Sequence, residues 1–279
     1  SNVSAFLGSL EKLINLSGTE YNKVENITFS GITFSHTTWL QASRSEGLNV
    51  IQSNIYKNAV MEEGTKWENG YWMDASSAIY GNYVKNITFT GNNFKNLGNG
   101  GIHLARATNN SKITKNKFYD CAGTGITLGG FNFIDHSNGT SDKYFSRYNV
   151  IEDNYIDNVG TIYKSACGIL AGYVGNTSIS YNTMVNLPYT GISLGWGWGF
   201  NGQEVNGAFP LLQGANSVCN NYIENVMTYM WDGGAIYTLG RMDGSEIKNN
   251  YINKVNNDFG GIYLDNGSSG FTVTDNVLM

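Results

Sequence analysis

The chain is 279 residues long, with 17 basic and 22 acidic side chains, a net charge of −5 and 41% hydrophobic residues. With no Lys/Arg run or basic stripe it is not a candidate for nucleic-acid binding, and no apolar run is long enough to cross a bilayer. The 35 Gly, 38 Asn and 2 Pro favour left-handed corners between strands whose ladders keep their donors.

Residues 1–36 read as a lead-in and a first coil, with a strand at Leu13 to Leu16 and the apolar triad Phe29/Ile32/Phe34. Residues 37–82 break the pattern. They hold Trp39, Trp67, Tyr71 and Trp72 and only a weak match, Ile51/Asn54/Tyr56, so they are expected to leave the main body and return at Ala78-Ile79-Tyr80. From Phe89 the register apolar-x-x-Asn-x-apolar recurs. It falls at Phe89/Asn92/Phe94, Ile113/Asn116/Phe118, Ile151/Asn154/Ile156, Ile179/Asn182/Met184, Val218/Asn221/Ile223, Ile247/Asn250/Ile252 and Val273/Asn276/Leu278. The starts lie 24, 38, 28, 39, 29 and 26 residues apart, and a period in the twenties with insertions marks a solenoid. The longer intervals locate insertions at 131–147 and 196–215, which with 37–82 are expected to build a surface on one face.

A second register follows half a coil later: Gly101-Ile102-His103-Leu104, Gly125-Ile126-Thr127-Leu128, Gly168-Ile169-Leu170-Ala171, Gly191-Ile192-Ser193-Leu194, Ala235-Ile236-Tyr237-Thr238 and Gly261-Ile262-Tyr263-Leu264. Both registers alternate over a few residues, which is strand period. Two or three short strands per coil, joined by Gly/Asn turns, describe an all-β chain folded as a parallel β-helix of roughly 8–10 coils. The recurring Asn is structural on this reading. Stacked about 4.8 Å apart, each amide donates to one neighbour and accepts from the other.

The unbroken repeat predicts one domain over residues 1–279. The chain opens near a strand and stops part-way through a coil, and solenoids need caps, so a longer polypeptide is expected around it. Cys121, Cys167 and Cys219 fall at different points of their coils and are odd in number, so buried free thiols are expected rather than disulfides.

Two acids stand out. Asp232 precedes the strand around Ile236, and Asp265 follows the matching strand in the next coil. With Ile262 and Leu264 inward, Tyr263 and Asp265 point outward. The outward row His103, Thr127, Ser193, Tyr237, Tyr263 would form a polar and aromatic strip suited to a sugar chain. Paired carboxylates are what glycosidic cleavage needs, one to protonate the leaving oxygen and one to attack or to activate water. Fully extended, the offset between the two acids is roughly 20 Å or more, so they meet only if Gly233-Gly234 bends the chain. Asp258, Asp243 and Glu204 are reserve partners for Asp265. Trp196 and Trp198, on a Gly backbone, are expected either to form a stacking platform or to fill space under their loop. Three histidines without metal spacing and no Asp-x-Asp-x-Asp-Gly loop leave no metal site expected, and no cofactor.

The runs Pro188-Tyr-Thr-Gly-Ile-Ser-Leu-Gly-Trp-Gly-Trp198, Asp232-Gly-Gly-Ala-Ile-Tyr-Thr-Leu-Gly240 and Ile262-Tyr-Leu-Asp265 resemble bacterial right-handed β-helix glycoside hydrolases, in particular glycoside hydrolase family 141. The resemblance spans the chain from about Leu13. It implies a right-handed helix, a secreted or periplasmic enzyme acting on plant cell-wall or related glycans, and Asp232 and Asp265 as the catalytic pair. His103, Trp196, Trp198, Tyr237, Tyr263 and Glu204 are the accompanying candidates for substrate contact. The alternatives are a non-catalytic glycan-binding or adhesin-like β-helix and a β-helix polysaccharide lyase.

Overall fold

The computed structural model describes residues 5–45, 48–57, 72–131, 135, 143–197, 213–257 and 259–279. Three short strands recur in each coil, and equivalent strands of successive coils pair in parallel. This gives three sheets of eight strands each. The first sheet runs from Ile14–Ser17 to Ile262–Leu264, the second from Val24–Ser30 to Ser269–Thr274, the third from Thr33–Ser35 to Val277–Leu278. The eight rungs fall within the expected number of coils.

Alternation puts one or two apolar residues per strand into the core. In the first sheet Ile79, Ile102, Ile126, Ile169, Ile192 and Ile236 stack in register and are fully buried. In the third, Phe34, Phe94 and Phe118 stack face to face, with centroids 4.9 and 4.6 Å apart. Each such side chain contributes about 1.5–3 kcal/mol of burial.

The corner between the second and third sheets is the asparagine ladder. Asn116 illustrates it: Nδ2 donates to Asn154 Oδ1 at 3.0 Å and to the Phe89 carbonyl at 3.0 Å, while its own Oδ1 accepts from Asn92 Nδ2 at 2.9 Å and Asn92 N at 3.0 Å. The pattern continues through Asn182, Asn221, Asn250 and Asn276. Ile32, in the Asn slot of the first coil, keeps only the backbone part, its N–H donating to Asn92 Oδ1 at 3.0 Å. Where the third sheet turns away, Asn96, Asn158 and Asn186 sit at φ 51°, 51° and 58°, a region that Asn enters more easily than most side chains.

The excursion leaves after Thr33–Ser35 and returns on Ser77–Asn82. Between them, Asn49–Gln52, Ile55–Lys57 and Trp72–Asp74 form a small antiparallel sheet. It lies over the outer face of the first sheet. Asn54 Nδ2 donates to Asn99 Oδ1 at 2.7 Å, Gln52 Nε2 to the Tyr189 hydroxyl at 2.6 Å, and Trp72 packs edge-on to Trp196 at 5.5 Å. Cys121, Cys167 and Cys219 are free and buried, as expected. Among the described residues no helix is long and apolar enough to cross a membrane.

Candidate active site

Strand register aligns Tyr80, His103, Thr127, Leu170, Ser193, Tyr237 and Tyr263 along the outer face of the first sheet. The predicted order holds, with Leu170 interposed and Tyr80 added. The predicted openness does not. His103, Thr127, Leu170, Ser193 and Tyr237 are all buried, because the antiparallel excursion roofs the strip. Leu170 and the ring of Tyr237 gain more from that cover than from water.

Three of the substrate-contact candidates therefore have other surroundings. Trp196 has no exposure and is wedged edge-on between Trp72 and Phe131, each 5.5 Å away. It fills space under the roof and offers no platform. His103 Nε2 lies 3.4 Å from the Gly129 carbonyl. Burial draws its pKa down to about 4, so the imidazole is neutral near pH 7. Tyr237 acts from beneath the surface, as described below. Trp198, Glu204 and Asp258 lie outside the described residues. Asp243, another reserve acid, is held by Arg241, with contacts of 2.9 and 2.6 Å.

The strip opens at its two ends, and Asp232 and Asp265 lie at one of them. Asp265 follows Ile262–Leu264 and is half-buried. Its N–H donates to the Thr238 carbonyl at 3.1 Å, and its carboxylate accepts the Tyr237 hydroxyl proton in a short hydrogen bond. Asp232 is exposed and stands at φ 57°. Its carbonyl accepts from the Tyr189 hydroxyl at 2.7 Å. Gly233 and Gly234 then fold the chain tightly against the next coil. A Cβ on Gly233 would come 2.8 Å from the Tyr189 ring, and one on Gly234 3.0 Å from the Gly260 carbonyl. The left-handed residue of this turn is Asp232, and neither glycine has a positive φ.

Electrostatics couples the two acids. Partial desolvation first, and then the charge of Asp265, hold the Asp232 carboxyl above its ordinary range. Burial, followed by the bond to Asp265, pushes the Tyr237 phenol far up, so it remains a donor. Aromatic rings frame the pair. Trp231, beside Asp232 in the chain, is 63% exposed and Phe259 49% exposed. Phe259 stacks on Tyr263 at 5.4 Å, and Tyr263 meets Tyr237 edge-on at 5.5 Å. Trp231, Phe259, Tyr189 and Gln52 had not been singled out from sequence. Among the described residues no three His, Cys, Asp or Glu side chains converge to hold a metal ion.

The three-sheet coil and this rim define a parallel β-helix with acids and aromatics at the end of a roofed face. The chain matches the family described as right handed beta helix region over residues 12–202 and belongs to it. No curated protein matches it significantly. A solved structure titled glycoside hydrolase is 25% identical, with a TM-score of 0.80 over 97% of this chain and 51% of its own. PfbA, a surface adhesin of Streptococcus pneumoniae, shares the fold at 15% identity and a TM-score of 0.50, over 93% of this chain and 59% of its own. The chain thus spans about half the length of the solved glycoside hydrolase it matches.

Proposed function

We propose that the chain belongs to an extracellular or periplasmic glycoside hydrolase that cleaves an oligo- or polysaccharide at the Asp232–Asp265 rim. The observation that carries the reading is the placement of the two carboxyls at one end of the strip beside exposed aromatic side chains, with Asp265 bonded to the Tyr237 hydroxyl. Asp232, raised by desolvation and by the charge of Asp265, is the proton donor to the glycosidic oxygen. Asp265, oriented by Tyr237, attacks the anomeric carbon or takes the proton of a water that does so. Trp231, Phe259 and Tyr263 supply flat apolar faces for sugar rings. The likeness to a solved glycoside hydrolase and the resemblance of the three motifs to glycoside hydrolase family 141 support the same reaction class.

The test is release of reducing ends from a panel of plant cell-wall and related glycans. Wild type is expected to release product from at least one, and Asp232→Asn and Asp265→Asn each to lower the rate by about 10²–10⁴-fold. Binding without product by the wild-type chain would favour the adhesin-like alternative.

A further inference from the structure

The other end of the roofed strip holds a second open site. Beyond His103 the row ends on Tyr80, where a cavity of about 330 Å³ is lined by Lys12, Trp72, Asp74, Tyr80, Arg106 and Asp135, among others. Asp135 is buried and gripped by Arg106, through a short contact to Oδ1 and one of 3.2 Å to Oδ2. Asp74 closes the last strand of the roof, Trp72–Asp74. Among the described residues its carboxyl makes no hydrogen bond. Its Oδ1 is buried and unpartnered, and its Oδ2 has His103 Nε2 at 3.9 Å, beyond hydrogen-bond reach. The side chain is nonetheless 26% exposed. The residue lines this cavity.

A carboxyl without a donor, beside an open cavity, calls for a ligand that brings O–H or N–H groups. The charges around it narrow the choice. Asp74 and Asp135 oppose an anion, while Lys12 and Arg106 oppose a cation. A neutral polyhydroxylated molecule meets neither repulsion. The volume is at the lower end of the range for ligand sites, about 300–1,000 Å³, which suits one or two sugar rings and not a threaded chain.

We propose that this cavity is a second carbohydrate site, which takes a neutral sugar ring whose hydroxyl groups donate to Asp74. The ligand class rests on the glycan-acting reading above, but the site does not depend on the Asp232–Asp265 chemistry. The groups around Asp74 are Asp135, Arg106, Lys12, His103, Tyr80 and, on the paired strand, Tyr56. Burial, and after it the charge of Asp135, push Asp74 up to about 7. His103 is drawn down to about 4 and Tyr80 pushed up to about 12, so neither of them titrates near neutrality. Hydroxyl donors favour the ionised carboxyl, so affinity rises with pH through that of Asp74.

The experiment is calorimetric titration of the chain carrying Asp232→Asn and Asp265→Asn, which removes turnover. The probes are methyl glycosides of a neutral hexose, a pentose and a 6-deoxyhexose, with galacturonate and glucosamine as charged comparisons. A neutral glycoside is expected to bind at least about threefold more tightly at pH 8 than at pH 5.5. Adding Asp74→Asn is expected to weaken it by about tenfold and to abolish the pH dependence, with no loss in thermal midpoint. The pH arm uses native Asp74 and does not depend on how the variant folds. Unchanged affinity in the Asp74 variant, binding of the charged sugars alone, or no binding would overturn the proposal. Hydrolysis tracks the Asp232–Asp265 pair and this binding tracks Asp74, so each reading can fail without the other.

Discussion

Tyr237 acts on Asp265 from a position with no solvent exposure. Its hydroxyl stabilises the carboxylate in a poorly solvated setting, where a charge-assisted bond is strong. Tyr237→Phe is expected to lower the turnover rate by about tenfold or more, an effect of roughly 1.5–3 kcal/mol. The alkaline limb of the rate profile is expected to belong to Asp232. Activity should fall as pH rises through its elevated pKa, and Asp265→Asn should lower that pKa by removing the neighbouring charge. Carboxyl-resolved NMR titration of both chains reads this directly, and an unmoved Asp232 would show the two groups to be uncoupled. Asp74 makes a separate prediction for stability. Its carboxyl loses its proton near the ordinary value of 3.8 when unfolded and near 7 when folded. Between those values the folded state holds more protons, so stability falls as pH rises, by about 4 kcal/mol at most. Asp74→Asn should flatten the decline in thermal midpoint over that interval and raise the midpoint above it.

At the scale of the strand and corner, the repeat carries its own explanation. Asn182 accepts from Asn154 N and Nδ2 and donates to Asn221 Oδ1 and the Ile151 carbonyl. Asn182→Ala leaves these groups buried and unpaired, at a cost of about 2–4 kcal/mol, measurable by denaturant unfolding. The outermost Asn276→Ala should cost less, because its neighbourhood is exposed. These elements were legible because alternation and the recurring Asn are local signals, repeated in every coil. The roof was not. Gln52, Ser53 and Asn54 find their partners at Tyr189, Ser193 and Asn99, and a segment without a period announces no such pairing. Hence the outward row was legible in order but not in burial. Asp232 and Asp265 were visible because each abuts a repeated strand. Asp74, Gln52 and Phe259 lie where the repeat breaks or ends.

At the scale of the whole molecule, the solenoid converts sequence spacing into position. Equivalent residues recur about every 4.8 Å along the axis, so Tyr80 and Tyr237, five rungs apart in the first sheet, stand roughly 24 Å from each other. The roof covers what lies between and leaves an acid-bearing opening at either end. The two openings differ in design: exposed aromatics with neighbouring acids at Asp232 and Asp265, and a small cavity with balanced charge at Asp74. Catalysis is proposed for the first opening. The measurement that addresses this most directly is the crystal structure of Asp232→Asn bound to an oligosaccharide that the wild-type chain cleaves. The account predicts the scissile glycosidic oxygen within about 2.6–3.2 Å of the residue 232 side chain, with the anomeric carbon turned toward Asp265. A scissile bond resting anywhere else on the coil, with residues 232 and 265 clear of the sugar, would contradict it.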